Sequence, residues 1–371
     1  MNTAAGPARR AAAPAGNGGQ AAPPALRRQR MQAIVQAGYG SADILRVEEI
    51  DRPAIGAGEA LVRVRAAGLD RGTWHLMAGQ PYLIRLVAGL RTPKNRVPGL
   101  DVAGTVVAAG SGVTRFAVGD EVFGIARGSF AEYAVAREAK LARKPAALSF
   151  AQAATLAVSG LTALQGLRDA GRLQPGQHVL IIGASGGVGT FAVQIAKALG
   201  AQVTGVCSTA KAGLVASIGA DHVIDYTKDD FASGAQRYDL ILDLAANTPL
   251  SRLRRILTPA GTLVIAGGEN AGRWTGMGRQ VRALALSPFV RQRLTMLVSK
   301  QRHTDLERLA ELTEAGDVTP VIGKTYPLRQ APDAMRDLQA GHARGKLVIT
   351  MADADAPPRA PLAEPDQPPA P

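Results

Sequence analysis

The 371-residue chain contains a single cysteine, Cys207. One thiol cannot build a disulfide framework or a zinc site made of several thiolates. As a compartment signal it points to the cytoplasm. No apolar run reaches the roughly 18 residues that a membrane helix needs, so stable membrane insertion is not expected. Aromatic residues make up only 4 %. With so few rings and no nucleic-acid motif, a base-stacking platform is not expected either. Acidic residues are absent from three stretches. Residues 1–30 hold five Arg, residues 71–96 five Lys/Arg, and residues 273–302 seven Lys/Arg, all without an Asp or Glu. The net charge is +13. Such a surface attracts anionic ligands, although solvated basic helices account for it equally well.

The length fits about two domains. Residues 1–30 are mostly Ala, Pro, Gly, Arg and Gln, with four Pro and four Gly. They cannot bury enough surface to offset chain entropy, and they are expected to be disordered. They lack the apolar centre of a secretory signal. Met31 opens a clean strand and reads as the true initiator. A Pro/Ala-rich tail, 351–371, is expected to be disordered as well. From residue 31 to about 150 the pattern is β-like, with strands at Gln32–Val35, Ala60–Arg65, Gly104–Ala108 and Ala131–Ala134. This predicts a barrel-like domain. From about residue 158, short apolar runs alternate with helical segments: His178–Gly183, Gln202–Cys207, His222–Asp225, Asp239–Leu244 and Thr262–Ala266. That is the rhythm of an α/β, doubly wound parallel sheet. A helix is expected over 288–315. The return to β at Lys346–Thr350 implies that the C-terminus completes the first domain.

The most specific motif is "HVLIIGASGGVGTFAVQIAKALGA". A strand runs into Gly183, Ala184, Ser185, Gly186, Gly187, Val188 and Gly189, and a helix follows to about Leu199. Glycines let backbone approach a pyrophosphate, and the helix N-terminus offers free N–H groups and a positive partial charge. The surrounding β/α repeats supply the context that a lone glycine pattern lacks. Cofactor choice should be set at the end of the next strand, where NAD sites carry an acid. Here the chain reads Cys207, Ser208, Thr209, Ala210, Lys211, with no carboxylate. Hydroxyls and a Lys suit a 2′-phosphate, so NADPH is expected. Ser208 or Thr209 would equally cap a helix Ala210–Ile218.

The order β domain, glycine loop, parallel sheet and β return resembles the medium-chain dehydrogenase/reductase superfamily, in its zinc-free quinone oxidoreductase and enoyl-reductase branch. The resemblance rests on "VPGLDVAGTVVAAGSGVTRFAVGDEVFGIARGSFAEYAV" (97–135), "LAVSGLTALQGL" (156–167), the glycine loop, "GADHVIDY" (219–226) and "ARGKLVIT" (343–350). It implies a GroES-like β-barrel domain at 31–155, completed by 320–350, and a Rossmann domain at 156–319. It places Thr162, Asp243, Ala266 and Gly267 beside the nicotinamide, Tyr226 at the adenosine phosphate end, and Lys346 within reach of the cofactor. Zinc-dependent relatives have "GHE" where this chain reads Gly99-Leu100-Asp101, and a ligand Cys at Asp70. With Leu100 at the His position, no metal site is expected.

Without zinc, oxidation of a simple alcohol gains little driving force. An activated acceptor needs only an oriented hydride donor and a proton. The expected substrate is therefore a small quinone or enone, with an aldehyde reductase or a non-catalytic NADPH-binding regulator of the same fold as alternatives. The resemblance leaves room for a homodimer. Asp70 and His75 are the candidate catalytic residues; an imidazole titrates near neutrality, which suits proton donation. A partly buried structural histidine is the competing account of His75. The two acid-free segments, mixing Leu86 and Val87 or Trp274 and Phe289 with cations, are expected to flank the cleft mouth.

Overall fold

Two hydrophobic rhythms divide the chain, and each builds its own sheet. The computed structural model describes Met1, Asn2 and residues 29–267, 276–341 and 343–351. In the first rhythm every second residue is apolar. β1 (Arg30–Val35) and β2 (Arg46–Asp51) form an antiparallel pair. β3 (Glu59–Leu69), β4 (Asp101–Ala109), β5 (Glu121–Ile125), β6 (Tyr133–Arg137) and β7 (Leu141–Arg143) form the main barrel sheet. In β3, Ala60, Val62 and Val64 are buried while Leu61, Arg63 and Arg65 are half-exposed, as an alternating strand over a core requires.

The second rhythm gives continuous apolar runs, because helices cover both faces of a parallel sheet. The strands are β8 (His178–Ile182), β9 (Gln202–Cys207), β10 (His222–Asp225), β11 (Tyr238–Asp243), β12 (Leu257–Ile265) and β13 (Arg293–Met296). They lie in the order β10-β9-β8-β11-β12-β13, all parallel. The order reverses between β8 and β11, which opens a crevice at the carboxyl ends of the strands. β14 (Ile322–Pro327) and β15 (Lys346–Thr350) then return to the barrel, where β15 pairs antiparallel with β3. The C-terminal return thus joins the barrel sheet through a ladder with β3.

Three expectations change in detail. The first strand begins at Arg30, not after it. The Gln29 carbonyl accepts the Arg52 N–H at 2.8 Å, and Arg30 pairs with Asp51 at 3.1 Å. The expected strand 131–134 is displaced to Tyr133–Arg137, with Ala131 in an isolated bridge to Ala33. The single helix expected over 288–315 is broken. A 3₁₀ turn at Ser287–Phe289 leads into β13, and a helix occupies only His303–Glu314. The reason is the open edge of β12, whose Thr262–Ile265 pairs with Arg293–Met296; pairing there outweighs local helical preference. Residues 3–28 and 352–371 lie outside the described residues, and with them both disorder expectations. No described helix is long and apolar enough to cross a membrane.

The helix Gly187–Ala198 is the structural spine of the second domain, and its Phe191 is 0 % exposed. Phe191→Ala should therefore cost about 3–5 kcal/mol, by lost transfer energy plus a cavity. Urea denaturation checks this, and a loss below about 1 kcal/mol would contradict the packing.

Candidate functional site

The phosphate loop is shaped by close approaches that only glycine allows. Gly183 leaves β8 at φ +88, a left-handed conformation that side chains resist. Its N–H and that of Ala184 both reach the Val206 carbonyl at 3.1 Å, which ties the loop to β9. A Cβ on Gly189 would collide with the Gly183 carbonyl and the Ala184 backbone. The helix can therefore start directly over the strand end. Gly186 stands at its N-cap, and no side chain caps it. The first-turn N–H groups of Gly187, Val188 and Gly189 consequently have no side-chain partner and suit an anion. Ser185 is buried, and its carbonyl accepts the Gly345 N–H at 3.0 Å.

At the end of β9 the expected recognition residues are present, with different partners. Ser208 makes no capping bond, and the helix it precedes is a 3₁₀ turn Thr209–Lys211 followed by Ala212–Ser217. The Thr209 hydroxyl donates to Asp225. Asp225 is paired in register with Cys207 across the β9–β10 ladder. A carboxylate therefore does stand beside this pocket, although none follows Cys207 along the chain. Hydrogen bonds from the Thr209 and Thr227 hydroxyls hold the Asp225 carboxyl down at about 2, so it is ionised. The Lys211 ammonium donates to the carbonyls of Ala343 at 2.9 Å and Gly341 at 3.3 Å. Burial, and then the nearby Arg344 cation, lower its pKa. Arg344 is thus a second positive group here that the sequence reading missed; its place in the C-terminal return, 133 positions beyond Lys211 (344 − 211), hid it. Tyr226 is fixed by its N–H to the Cys207 carbonyl at 3.1 Å, and its ring is exposed.

On the other side of the crevice, β11 ends at Asp243, which is completely buried. One oxygen accepts the Ala246 N–H at 2.9 Å; the other lies 2.6 Å from Arg279, in an ion pair without good hydrogen-bond alignment. Arg279 also donates to the Thr248 carbonyl at 2.7 Å. Asp243 is therefore a brace under the strand end. Ala266 and Gly267 both donate backbone N–H groups to the Asp243 carbonyl, which draws the ends of β11 and β12 together. Thr162 is half-buried on the helix Ala157–Gln165, its hydroxyl bonded back to the Val158 carbonyl at 2.7 Å. Lys346 departs from expectation: its side chain is 1 % exposed and its ammonium is held by Asp101 and Ser159. It cannot reach a phosphate with that charge.

Asp70 and His75 do not form a dyad. Asp70 is the N-cap of the helix Arg71–Ala78, accepting from Thr73 N–H at 2.8 Å and Thr73 Oγ1 at 3.0 Å. Both of its oxygens are thus engaged in capping, which the sequence pattern did not suggest. Five residues on, His75 lies about 140° around the helix axis. Its Nδ1 is 2.7 Å from the Gln80 carbonyl, so Nδ1 donates its proton there and Nε2 is left to other partners. Leu100 packs against the inter-domain core, where it cannot coordinate metal. Beside it lies a cavity of about 140 Å³, walled by Leu76, Met77, Val97 and Pro98, with Gln36 at one end. The two acid-free segments meet, because Gly276 lies directly against Pro81. Leu86, Val87 and Phe289 are strongly exposed; Trp274 lies outside the described residues.

Gly189→Ala tests the phosphate loop. Its methyl would strike backbone, so nicotinamide-cofactor affinity should fall at least about tenfold, or 1.4 kcal/mol. Fluorescence titration measures this; wild-type affinity would show that the loop does not seat a dinucleotide.

Comparison with known proteins agrees with this arrangement. Residues 56–146 match the family described as alcohol dehydrogenase GroES-like domain, and residues 218–349 the family described as zinc-binding dehydrogenase. The chain is 32 % identical over 333 residues to a chloroplastic quinone-oxidoreductase homolog of Spinacia oleracea, covering 86 % of this chain and 98 % of that one. It is 33 % identical over 347 residues to the mitochondrial NAD(P)H oxidoreductase RTN4IP1 of Mus musculus, covering 84 % and 87 %. Among solved structures, the quinone oxidoreductase from Coxiella burnetii superposes with a TM-score of 0.78 at 28 % identity, covering 87 % and 99 %. The chain is an NAD(P)H-dependent oxidoreductase of the medium-chain dehydrogenase/reductase superfamily, related to its quinone oxidoreductases.

Proposed function

We propose that this oxidoreductase uses NADPH, works without zinc, and reduces a small quinone or a conjugated enone. The observation that carries the cofactor choice is the pairing of Lys211 with Arg344 at the end of β9. The Arg344 cation stands close enough to disfavour the charge on Lys211, whose hydrogen-bond acceptors are neutral carbonyls. A 2′-phosphate relieves that repulsion, and a ribose hydroxyl does not. Ser208 adds a hydroxyl without a capping duty. The Asp225 carboxylate accepts from the hydroxyls of two threonines, and the Lys228 ammonium lies 3.8 Å from it, which offsets part of its charge. The glycine cradle and the uncapped helix fit the pyrophosphate that both cofactors share.

When bound, the nicotinamide supplies hydride transfer. The chain's own task is to orient and exclude. Gly267, Ala266 and the buried Asp243 brace form a rigid wall at the nicotinamide side. Leu100 replaces a metal ligand with an apolar surface, and the adjoining cavity is wide enough for a single ring, comparable with apolar cavities that hold benzene. That environment favours an acceptor already activated by conjugation over an alcohol needing a Lewis acid. His75, its Nδ1–H held by the Gln80 carbonyl, is the proposed proton donor through Nε2 when both ring nitrogens carry a proton. Asp70 has no part in that step. Action in the cytoplasm remains the reading drawn from cysteine usage.

Cofactor titration tests the proposal. Wild type should prefer NADPH over NADH by about ten- to a thousandfold. Lys211→Ala and Arg344→Ala should each weaken NADPH by about tenfold, since partial solvent exposure screens each charge, while sparing NADH. Equal affinity for the two cofactors in wild type would refute the assignment. Two further outcomes are expected. Elemental analysis should find no stoichiometric zinc, and one zinc per chain with chelator-sensitive turnover would overturn the metal-free reading. His75→Ala should lower quinone turnover by about 10²-fold with NADPH affinity retained; unchanged turnover and pH profile would return His75 to a structural role.

A further inference from the structure

Lys346 carries a charge that reaches neither solvent nor the phosphate loop. Its ammonium donates to Asp101 Oδ2 at 3.0 Å and to Ser159 Oγ at 3.1 Å, and the two charged side chains are 1 % and 0 % exposed. The other Asp101 oxygen accepts the Val158 N–H at 2.7 Å. Burial pushes the Asp101 carboxyl up to about 6; the Lys346 cation opposes that shift and the Asp70 carboxylate adds to it. Such a pair is a poor source of stability, because desolvation of two charges offsets their attraction. Its geometry is more telling than its energy. Asp101 begins β4 and Lys346 begins β15, both in the barrel. Val158 and Ser159 open the helix that leads into the second domain. The Lys346 stem lies 3.0 Å from where a Cβ on Gly187 would stand, and the preceding Gly345 N–H holds the Ser185 carbonyl.

We propose that Lys346 is a positioning residue: it sets the distance and tilt of the phosphate loop relative to the barrel floor that carries Leu100. The inference rests on the proposed function in one respect, that cofactor and acceptor meet between these two surfaces. The ammonium fixes one end of the side chain to the barrel and to the inter-domain helix. The stem and the Gly345 N–H fix the other end to Ser185 and Gly187. An apolar side chain of equal volume would fill the space without specifying a single arrangement. Reacting groups need that specification, because a misplacement of about 1 Å can cost about 10²-fold in rate.

The test is the double variant Lys346→Met/Asp101→Leu, with Ser159→Ala as a milder companion. Four quantities are read: melting temperature, NADPH affinity, steady-state kinetics with a quinone, and amide hydrogen exchange of residues 183–189 without cofactor. In the double variant the melting temperature should fall by no more than the loss of the Val158 N–H acceptor accounts for, and NADPH affinity should stay within about threefold. Loop exchange should rise about tenfold, and kcat should fall about ten- to a hundredfold at similar KM. Ser159→Ala should move exchange and kcat in the same directions by less. Wild-type exchange and kcat in the double variant would overturn the proposal. So would a loss of NADPH affinity in step with kcat, which would make Lys346 a cofactor ligand instead. If the double variant does not fold, exchange and kcat of Ser159→Ala decide. If wild type turns over no quinone, the proposed acceptor fails, and the exchange arm still decides the positioning role.

Discussion

The pairing of β15 with β3 is the constraint on which the rest of the structure depends. It brings β15, the last of the described strands, back to the barrel after the whole parallel sheet has been built. That single ladder delivers Lys346 to Asp101, Gly345 to the Ser185 carbonyl and Arg344 to the neighbourhood of Lys211. Without it the phosphate loop would belong to one domain only. With it, the loop is clamped between the parallel sheet and the barrel.

The crevice itself follows from sheet order. The reversal between β8 and β11 separates their helices, so the strand ends face open space. Gly183, Ser208, Tyr226, Asp243 and Ala266 each sit at or just beyond a strand's carboxyl end, and they converge although spread over some eighty positions. Charge is distributed unevenly along this edge. Cations gather beyond the end of β9, around Lys211 and Arg344. At the ends of β11 and β12 the buried Asp243 carboxylate is taken up by Arg279 and a backbone N–H. An anionic ligand is therefore drawn in at one end and held by shape at the other.

Several of the expected site residues have structural partners. Asp70 caps a helix, Asp243 braces a strand end, and Lys346 ties two domains. Each is a polar group that burial forces to find partners, and the partners available are structural. Their residue types could not announce this, because a capping Asp and a catalytic Asp read alike along a chain. The environment of a carboxylate decides its role.

The sequence by itself determined the two sheet types, the glycine loop, the absence of a coordinating side chain at Leu100 and the superfamily. These are local matters: period-two against continuous apolar patterning, backbone freedom at glycine, and side-chain chemistry at one position. It failed where local preference met a distant partner. Residues 288–315 read as one helix, yet the open edge of β12 drew Arg293–Met296 into the sheet. Asp225 escaped notice because only the β9–β10 register sets it beside Thr209, and Arg344 because only the β15 ladder sets it beside Lys211. The destination of the Lys346 ammonium was likewise decided in three dimensions. Burial removed its access to water, and the nearest carboxylate, 245 positions earlier in the chain, became its partner.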